Sequence, residues 1–130
     1  MPYILSDMKK KVLVIDNTAS SRNGCAMLSE RGYSVDFVPS SDAGLRRLSA
    51  RRHDVIVVQE IPEAESWQLC ERIRRVSTKP LIVISPNASV ETSVKAIKAG
   101  ADYFMRKPFG LLEFSARVQS LLRRASASQN

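Results

Sequence analysis

The sequence has little of what a metal centre or a disulfide framework needs. It contains two cysteines and one histidine in 130 residues, and Cys25 and Cys70 stand far apart with no CxxC motif. A structural zinc site takes a tetrahedral set of Cys and His ligands, so these numbers argue against one. Because both cysteines fall in segments with helical spacing, we expect buried, reduced thiols.

Long apolar runs are also absent. No segment approaches the roughly 18–20 residues that span a bilayer. The opening MPYILSDMKKK lacks the basic, apolar and small-residue order of a secretory signal. The sequence therefore predicts a cytoplasmic protein with no membrane segment.

Aromatic residues are few, at 6% of the chain, although the net charge is +7. Such a charge could attract nucleic acid or other anionic partners. The basic clusters carry no interleaved aromatic residues of the kind that stack on bases. We therefore interpret the charge as solvated helix faces and expect no direct binding of nucleic acid by this domain.

Five short apolar runs organise the chain. Most are continuous, as in strands that are covered on both faces of a parallel sheet. They are Val12–Ile15, Val35–Val38, Val55–Val58, Leu81–Ile84 and Tyr103–Met105. Segments with helical spacing separate them, and regular strand–helix alternation predicts an α/β fold. We expect a doubly wound, five-stranded parallel sheet of the flavodoxin-like (βα)5 type.

Glycine and proline residues at the expected turns and helix ends support this division. Gly32 follows the first helical segment, Pro80 precedes the fourth strand, and Gly100 lies where a helix cap is expected. The pair Val94 and Ile97 marks the fourth helical segment.

We expect an N-terminal extension over residues 1–9, one domain over 10–124, and a tail or linker start over 125–130. His53 is interpreted as a solvated loop residue.

Polar residues collect where the strands end, which is where ligands bind in open α/β sheets. These residues are Asp16, Asn17, Gln59, Glu60, Ser85 and Lys107. Together with the motifs VLVIDN, DVIVVQ, PEAESW, KPLIVIS and AGADYFMRKPF, they make the chain resemble the receiver domains of two-component response regulators. The resemblance extends from Lys10 to Arg124.

The resemblance implies a phosphorylation pocket, but this chain departs from it. In the family, the second of two acids after strand one and an aspartate after strand three help to bind Mg²⁺, and that aspartate takes phosphate from a histidine kinase. Here Asp16, Ser85 and Lys107 match, whereas Asn17 and Gln59 replace the second acid and the acceptor. An amide is a poor nucleophile, and a single acid facing an ammonium is a poor magnesium site. We expect neither enzymatic activity nor a bound metal or cofactor.

Two alternatives stay open. The loop from Gln59 to Pro62 is one residue shorter than the family pattern, so Glu60 could occupy the acceptor place, and the domain would then be an active receiver phosphorylated on Glu60 or Asp16. A flavodoxin-like binder of a small molecule is the second alternative. Thr18–Ser21 offers no glycine-rich loop for it.

The resemblance also implies how the domain contacts partners. Phe104 takes the place of the aromatic residue that reorients in phosphorylated relatives. The face made by helix four, strand five and helix five is often a dimer interface, and it carries five charged residues here: Lys95, Lys98, Asp102, Glu113 and Arg117. We expect a homodimer through this face, a histidine kinase or another signalling protein as partner, and DNA contact only through a separate output domain of a transcriptional regulator.

Overall fold

The fold is a five-stranded parallel sheet with helices on both faces. The computed structural model describes residues 9–16, 22–59, 61–86, 89–107 and 109–128. The strands are β1 (Lys11–Asp16), β2 (Ser34–Val38), β3 (Val55–Gln59), β4 (Leu81–Ser85) and β5 (Tyr103–Arg106). The helices are α1 (Arg22–Glu30), α2 (Ser41–Ala50), α3 (Glu63–Val76), α4 (Val90–Ala99) and α5 (Leu111–Ser128).

The strands are ordered β2-β1-β3-β4-β5, and every neighbouring pair is parallel. The order reverses direction between β1 and β3, since β2 lies on one side of β1 and β3 to β5 lie on the other. In open α/β sheets, functional sites lie at such a switch point, beyond the ends of the strands. We call the edge where the strands end the carboxyl edge and the edge where they begin the amino edge. The predicted fold class is confirmed.

Continuous apolar strands fill two cores, one on each face of the sheet. Alternate strand residues point to opposite faces. Val12 and Val14 pack with Leu28 of α1 and Phe114 of α5. On the other face, the core contains Leu13, Ile15, Ile56, Val58, Leu69, Cys70, Ile73, Val83 and Ala96, from β1, β3, β4, α3 and α4. This two-sided burial is the reason that the sequences of β1, β3 and β4 show no polar alternation.

Local capping sets the helix boundaries. The Ser40 hydroxyl accepts a hydrogen bond from the Ala43 backbone N–H at 3.1 Å, and Ser89 does the same for Thr92 at 3.1 Å. Such caps are worth about 0.5–2 kcal/mol each. Gly100 ends α4 with φ of 122°, a conformation that L-residues with a side chain rarely adopt. The glycine cap expected at this position is present.

The thiols of Cys25 and Cys70 are buried and free, as predicted. The interpretation of His53 as a solvated residue is wrong, because only 4% of it is exposed. Its Nε2 lies 3.2 Å from Asp36 Oδ2, and Arg47 pairs with the same carboxylate. Burial would raise the pKa of Asp36, but hydrogen bonds and charges from Arg47 and His53 hold the pKa below its ordinary value.

The fourth helix is present, but Val94 and Ile97 do not face the core. They are 43% and 48% exposed, whereas Thr92 and Ala96 are buried. The helix therefore buries its small residues and leaves a branched apolar stripe outside. At the other end of the chain, α5 continues to Ser128, past the expected domain boundary at Arg124.

Candidate functional site

The centre of the carboxyl edge is a buried pair formed by the last residues of β1 and β3. Asp16 and Gln59 are register partners, and the Gln59 Nε2 donates a hydrogen bond to Asp16 Oδ2 at 2.7 Å. Each residue is 1% exposed. A buried carboxylate is costly unless hydrogen-bond donors surround it. The Gln59 amide supplies one donor, so the two strand ends stabilise each other.

The other end of the Gln59 amide contacts Cys25 of α1. The Cys25 Sγ lies 3.8 Å from Gln59 Oε1, which places a weak S–H donor beside the amide oxygen. Thiol, amide and carboxylate thus form a chain of donors and acceptors that fixes the orientation of the amide, since the reverse orientation would set Oε1 against the carboxylate. Burial, followed by the Asp16 charge, raises the pKa of Cys25 to about 12, with Lys107 opposing.

Ser85 and Lys107 complete the described part of this edge. Ser85 ends β4, and its backbone carbonyl accepts a hydrogen bond from the Lys107 N–H at 3.0 Å. This contact holds the start of the segment after β5 next to the end of β4. The structure places Asp16, Gln59, Ser85 and Lys107 at the carboxyl edge.

Asn17 and Glu60 lie outside the described residues, so their predicted places stay predictions. Across the part of the chain that the structure covers, no three His, Cys, Asp or Glu side chains are grouped to hold a metal ion. Mg²⁺ requires several oxygen ligands. Asp16 offers one carboxylate, which already accepts from an amide, and Gln59 turns its nitrogen toward that carboxylate. These two residues do not fit a magnesium site.

Phe104 lies on β5 beside Val83 and packs half-buried against the core that contains Ala96. As a phenylalanine, it has no hydroxyl that could reach a partner at the surface. It lies next to the strand that ends in Ser85, and its role as a reorienting aromatic residue stays a prediction.

The five predicted dimer-face residues have different surroundings. Arg117 of α5 places its guanidinium 4.4 Å from the ring centre of Tyr103 on β5. Asp102 Oδ2 accepts hydrogen bonds from Arg74 at 2.6 Å and from the Leu81 backbone at 2.8 Å. Lys95, Lys98 and Glu113 are exposed. Within the described ranges, Glu113 and Arg117 form no ion pair with each other.

Two residues of these sites, Cys25 and Arg74, make contacts that no local sequence pattern predicts. The sequence predicts Cys25 only as a core thiol, yet it contacts Gln59. The sequence analysis interprets the basic residues as solvated helix faces, yet Arg74 binds the carbonyls of Gly100 at 2.9 Å and Lys79 at 2.6 Å as well as Asp102. Sequence reasoning misses the Cys25 contact and those of Arg74 with Gly100 and Asp102, because they join residues far apart in the chain.

Comparison with known proteins identifies the class. The response regulator receiver domain model matches residues 12–119, and the chain belongs to this family. No helix in the described ranges has the length and apolar character to cross a membrane.

Two curated relatives carry names that describe regulatory proteins. The transcriptional activator protein IrlR of Burkholderia pseudomallei is 33% identical over 79% of this chain and 45% of its own length. The response regulator MprA of a Mycobacterium strain is 31% identical over 94% of this chain and 54% of its own. The chain thus spans about half the length of these relatives.

A solved two-component response regulator from Clostridium difficile superposes with a TM-score of 0.84 at 26% identity, covering 90% of this chain and 98% of that one. A response regulator from Thermotoga maritima gives a TM-score of 0.82 at 23% identity, covering 89% and 99%. The second comparison supports the fold alone. These folds agree with membership of the response regulator receiver domain family.

Proposed function

We propose that this receiver domain does not accept phosphate by the usual aspartate route and acts as a protein-interaction module of a transcriptional regulator. The observation that carries the proposal is the Gln59–Asp16 hydrogen bond at the ends of β3 and β1. The register between the two strands supports Gln59, rather than Glu60, as the residue at the acceptor place.

The chemistry of the pair supports this proposal. An uncharged amide cannot attack a phosphoryl group as a carboxylate does. Phosphorylation of Asp16 would require its carboxylate to leave the Gln59 amide and reach solvent, although only 1% of the residue is exposed. Breaking a hydrogen bond to a buried charged group costs about 1.5–3 kcal/mol before any desolvation of the incoming group.

Without a covalent phosphate, a change of state needs another source of differential binding energy. We propose that a protein partner supplies it, either a histidine kinase that docks without transferring phosphate or another signalling protein. DNA would be contacted only by a separate output domain. The regulatory names of the relatives, whose own lengths are about twice the matched region, support this part of the proposal.

Intact-mass analysis tests the absence of phosphorylation. The full chain is incubated with phosphoramidate and Mg²⁺, and we expect no added phosphoryl group. The control is Asn17→Asp with Gln59→Asp, which restores the acids of the family pattern; after circular dichroism has verified that it is folded in saturating Mg²⁺, it should gain one phosphoryl mass. An adduct on the unaltered chain that disappears in Glu60→Ala would assign phosphorylation to Glu60 and contradict the proposal.

We further propose that the face of α4, β5 and α5 joins two copies. The exposed large apolar residues of α4 and α5 are Val90, Val94, Ile97, Leu111 and Leu112. Exposed Lys95, Lys98 and Glu113 could pair across a twofold axis. Asp102 already binds Arg74, and Arg117 already lies over the ring of Tyr103. Asp102 and Arg117 would therefore keep these contacts when they join the interface.

Sedimentation velocity tests the dimer. We expect concentration-dependent association that Val94→Lys abolishes, because a charge in the centre of an apolar interface must be desolvated. Val76→Lys is the matched control, since Val76 is 58% exposed at the end of α3, outside this face. Equal association of both variants would contradict this interface without bearing on the phosphorylation proposal.

A further inference from the structure

A basic cavity opens at the amino edge of the sheet, away from the pocket described above. Its volume is about 350 Å³, and it is lined by Lys11, Ser34, Asp36, Arg51, Arg52 and His53. Lys11 begins β1, whereas Asp16 ends it. At about 3.3 Å per residue, the two strand ends lie roughly 17 Å apart. The cavity is therefore a separate place on the molecule.

Backbone contacts hold the cavity walls together. The Lys11 N–H donates to Asp54 Oδ2 at 2.8 Å, and the Asp54 N–H donates to the Lys11 carbonyl at 2.8 Å. Arg51 closes α2 in an extended conformation, with its N–H bonded to the Arg47 carbonyl. These contacts fix the positions from which the side chains of Lys11 and Arg51 extend.

The charges in the cavity are unbalanced. Three lining residues are cationic and one, Asp36, is anionic. Arg47 and His53 already bond to the Asp36 carboxylate, whereas Arg51 approaches it only to 4.0 Å. Among the described residues, the Lys11 and Arg52 side chains form no ion pair. An excess of positive charge therefore faces the cavity.

His53 provides an independent observation. It lines the cavity, its side chain is 3% exposed, and its Nε2 faces Asp36. Its Nδ1 is buried and has no hydrogen-bond partner in the described chain. Buried polar groups are normally paired, and an exception calls for a missing partner. A bound polar molecule could supply that partner, through its own hydroxyl or through an ordered water, after a small rotation of the His53 imidazole ring.

We propose that the basic cavity binds a small phosphorylated anion. Guanidinium groups match phosphate oxygens in a two-pronged geometry, and an ammonium adds a compact charge. Arg51, Arg52 and Lys11 provide these groups, and the Ser34 hydroxyl offers a further donor. The volume lies within the range of small-molecule sites, which begins at about 300 Å³. A phosphate-bearing molecule of metabolite size fits both the charge and the space.

The test is a titration of the full chain with inorganic pyrophosphate, followed by amide chemical shifts at constant ionic strength. We expect saturable shifts that cluster at Lys11, Ser34 and Arg51–His53. Arg51→Gln with Arg52→Gln should weaken binding at least about tenfold, the loss of roughly one charge-assisted contact. Arg75→Gln with Arg123→Gln is the control, because it removes the same charge from exposed positions elsewhere and should change affinity less than about twofold.

Three results would overturn the proposal. They are equal weakening in the two double variants, shifts confined to the carboxyl edge, and absence of saturation. Binding of duplex DNA that the cavity variant abolishes, without pyrophosphate binding, would assign the patch to nucleic acid instead. Arg52→Gln alone, which breaks no contact to Asp36, should still weaken pyrophosphate binding if the double variant fails to fold.

Discussion

Replacing Gln59 by aspartate should strongly destabilise the domain at neutral pH. The substitution exchanges a donor for a second carboxylate beside Asp16, in a place where both residues are 1% exposed. The Gln59 Nε2 now lies 2.7 Å from Asp16 Oδ2. Aspartate is one methylene shorter, so its oxygens would lie somewhat farther away, at about 4 Å.

The magnitude follows from two contributions. Two unit charges about 4 Å apart repel by about 4 kcal/mol at an effective dielectric constant near 20. Loss of the hydrogen bond to Asp16 adds about 1.5–3 kcal/mol. Relaxation of the side chains reduces the sum, and we expect a loss of about 4–6 kcal/mol in the free energy of unfolding. Such a loss approaches the whole stability of many domains, about 5–15 kcal/mol.

Urea unfolding of Gln59→Asp and Gln59→Asn separates the two contributions. Asparagine has the size of aspartate without its charge, so the difference between these variants measures the repulsion. We expect a gap of about 3–4 kcal/mol at pH 7.5 that narrows as the pH is lowered, because protonation of the introduced carboxyl group removes the repulsion. Mg²⁺ at about ten times its dissociation constant should restore about 1.4 kcal/mol to the aspartate variant alone.

A gap below about 1 kcal/mol, unchanged by pH or Mg²⁺, would refute the reasoning. It would mean that the two side chains are not close, or that water reaches them freely. The proposed function would then lose its main support, since the buried amide–carboxylate pair would not exist.

Three further predictions concern stability and reactivity. Gly44→Ala should cost about 1–3 kcal/mol by overpacking, because its Cβ would lie 2.7 Å from Ile15 Cγ1; urea unfolding measures this, and an unchanged midpoint would contradict it. Burial raises the pKa of Cys25 to about 12 and of Cys70 to about 11, so a thiol reagent at pH 8 should modify neither until the chain unfolds, and rapid labelling without denaturant would disagree. Because the pKa of Asp36 is lowered, its carboxylate stabilises the fold above the ordinary pKa of 3.8, and this stabilisation is lost as the pH falls below that value. When the solution is acidified, the melting temperature of Asp36→Asn should therefore fall less than that of the unaltered chain.

The fold can be predicted from the sequence because its signal is local and repeated. Continuous β-branched runs such as Val55–Val58 indicate strands buried on both faces, and Gly100 marks a helix end through its own backbone preference. The strand ends follow directly from that pattern. The sequence alone therefore predicts that Asp16 and Gln59 meet at one edge of the sheet.

The interpretation of His53 as a solvated residue is wrong because of a contact between distant segments. His53 is buried because Asp36, 17 residues earlier on β2, offers it a carboxylate. Val94 and Ile97 have the right spacing for a core face, but Ala96 and Thr92 pack closer to the sheet. Spacing identifies which residues share a helix face. It does not identify which face the sheet covers when both faces carry small or apolar residues.

The planar guanidinium group of Arg74 connects two loops of the chain through several hydrogen bonds. It reaches the loop before β4 through the Lys79 carbonyl, and the loop before β5 through Gly100 and Asp102. A lysine would keep the positive charge but would lack the rigid, planar arrangement of N–H donors that a guanidinium group has. The spacing between the first residues of two neighbouring strands thus depends on the geometry of a side chain from a helix. Because the contact at Lys79 is made only to the backbone carbonyl, this position can change as long as the arginine stays, whereas Gly100 is also fixed by its positive φ.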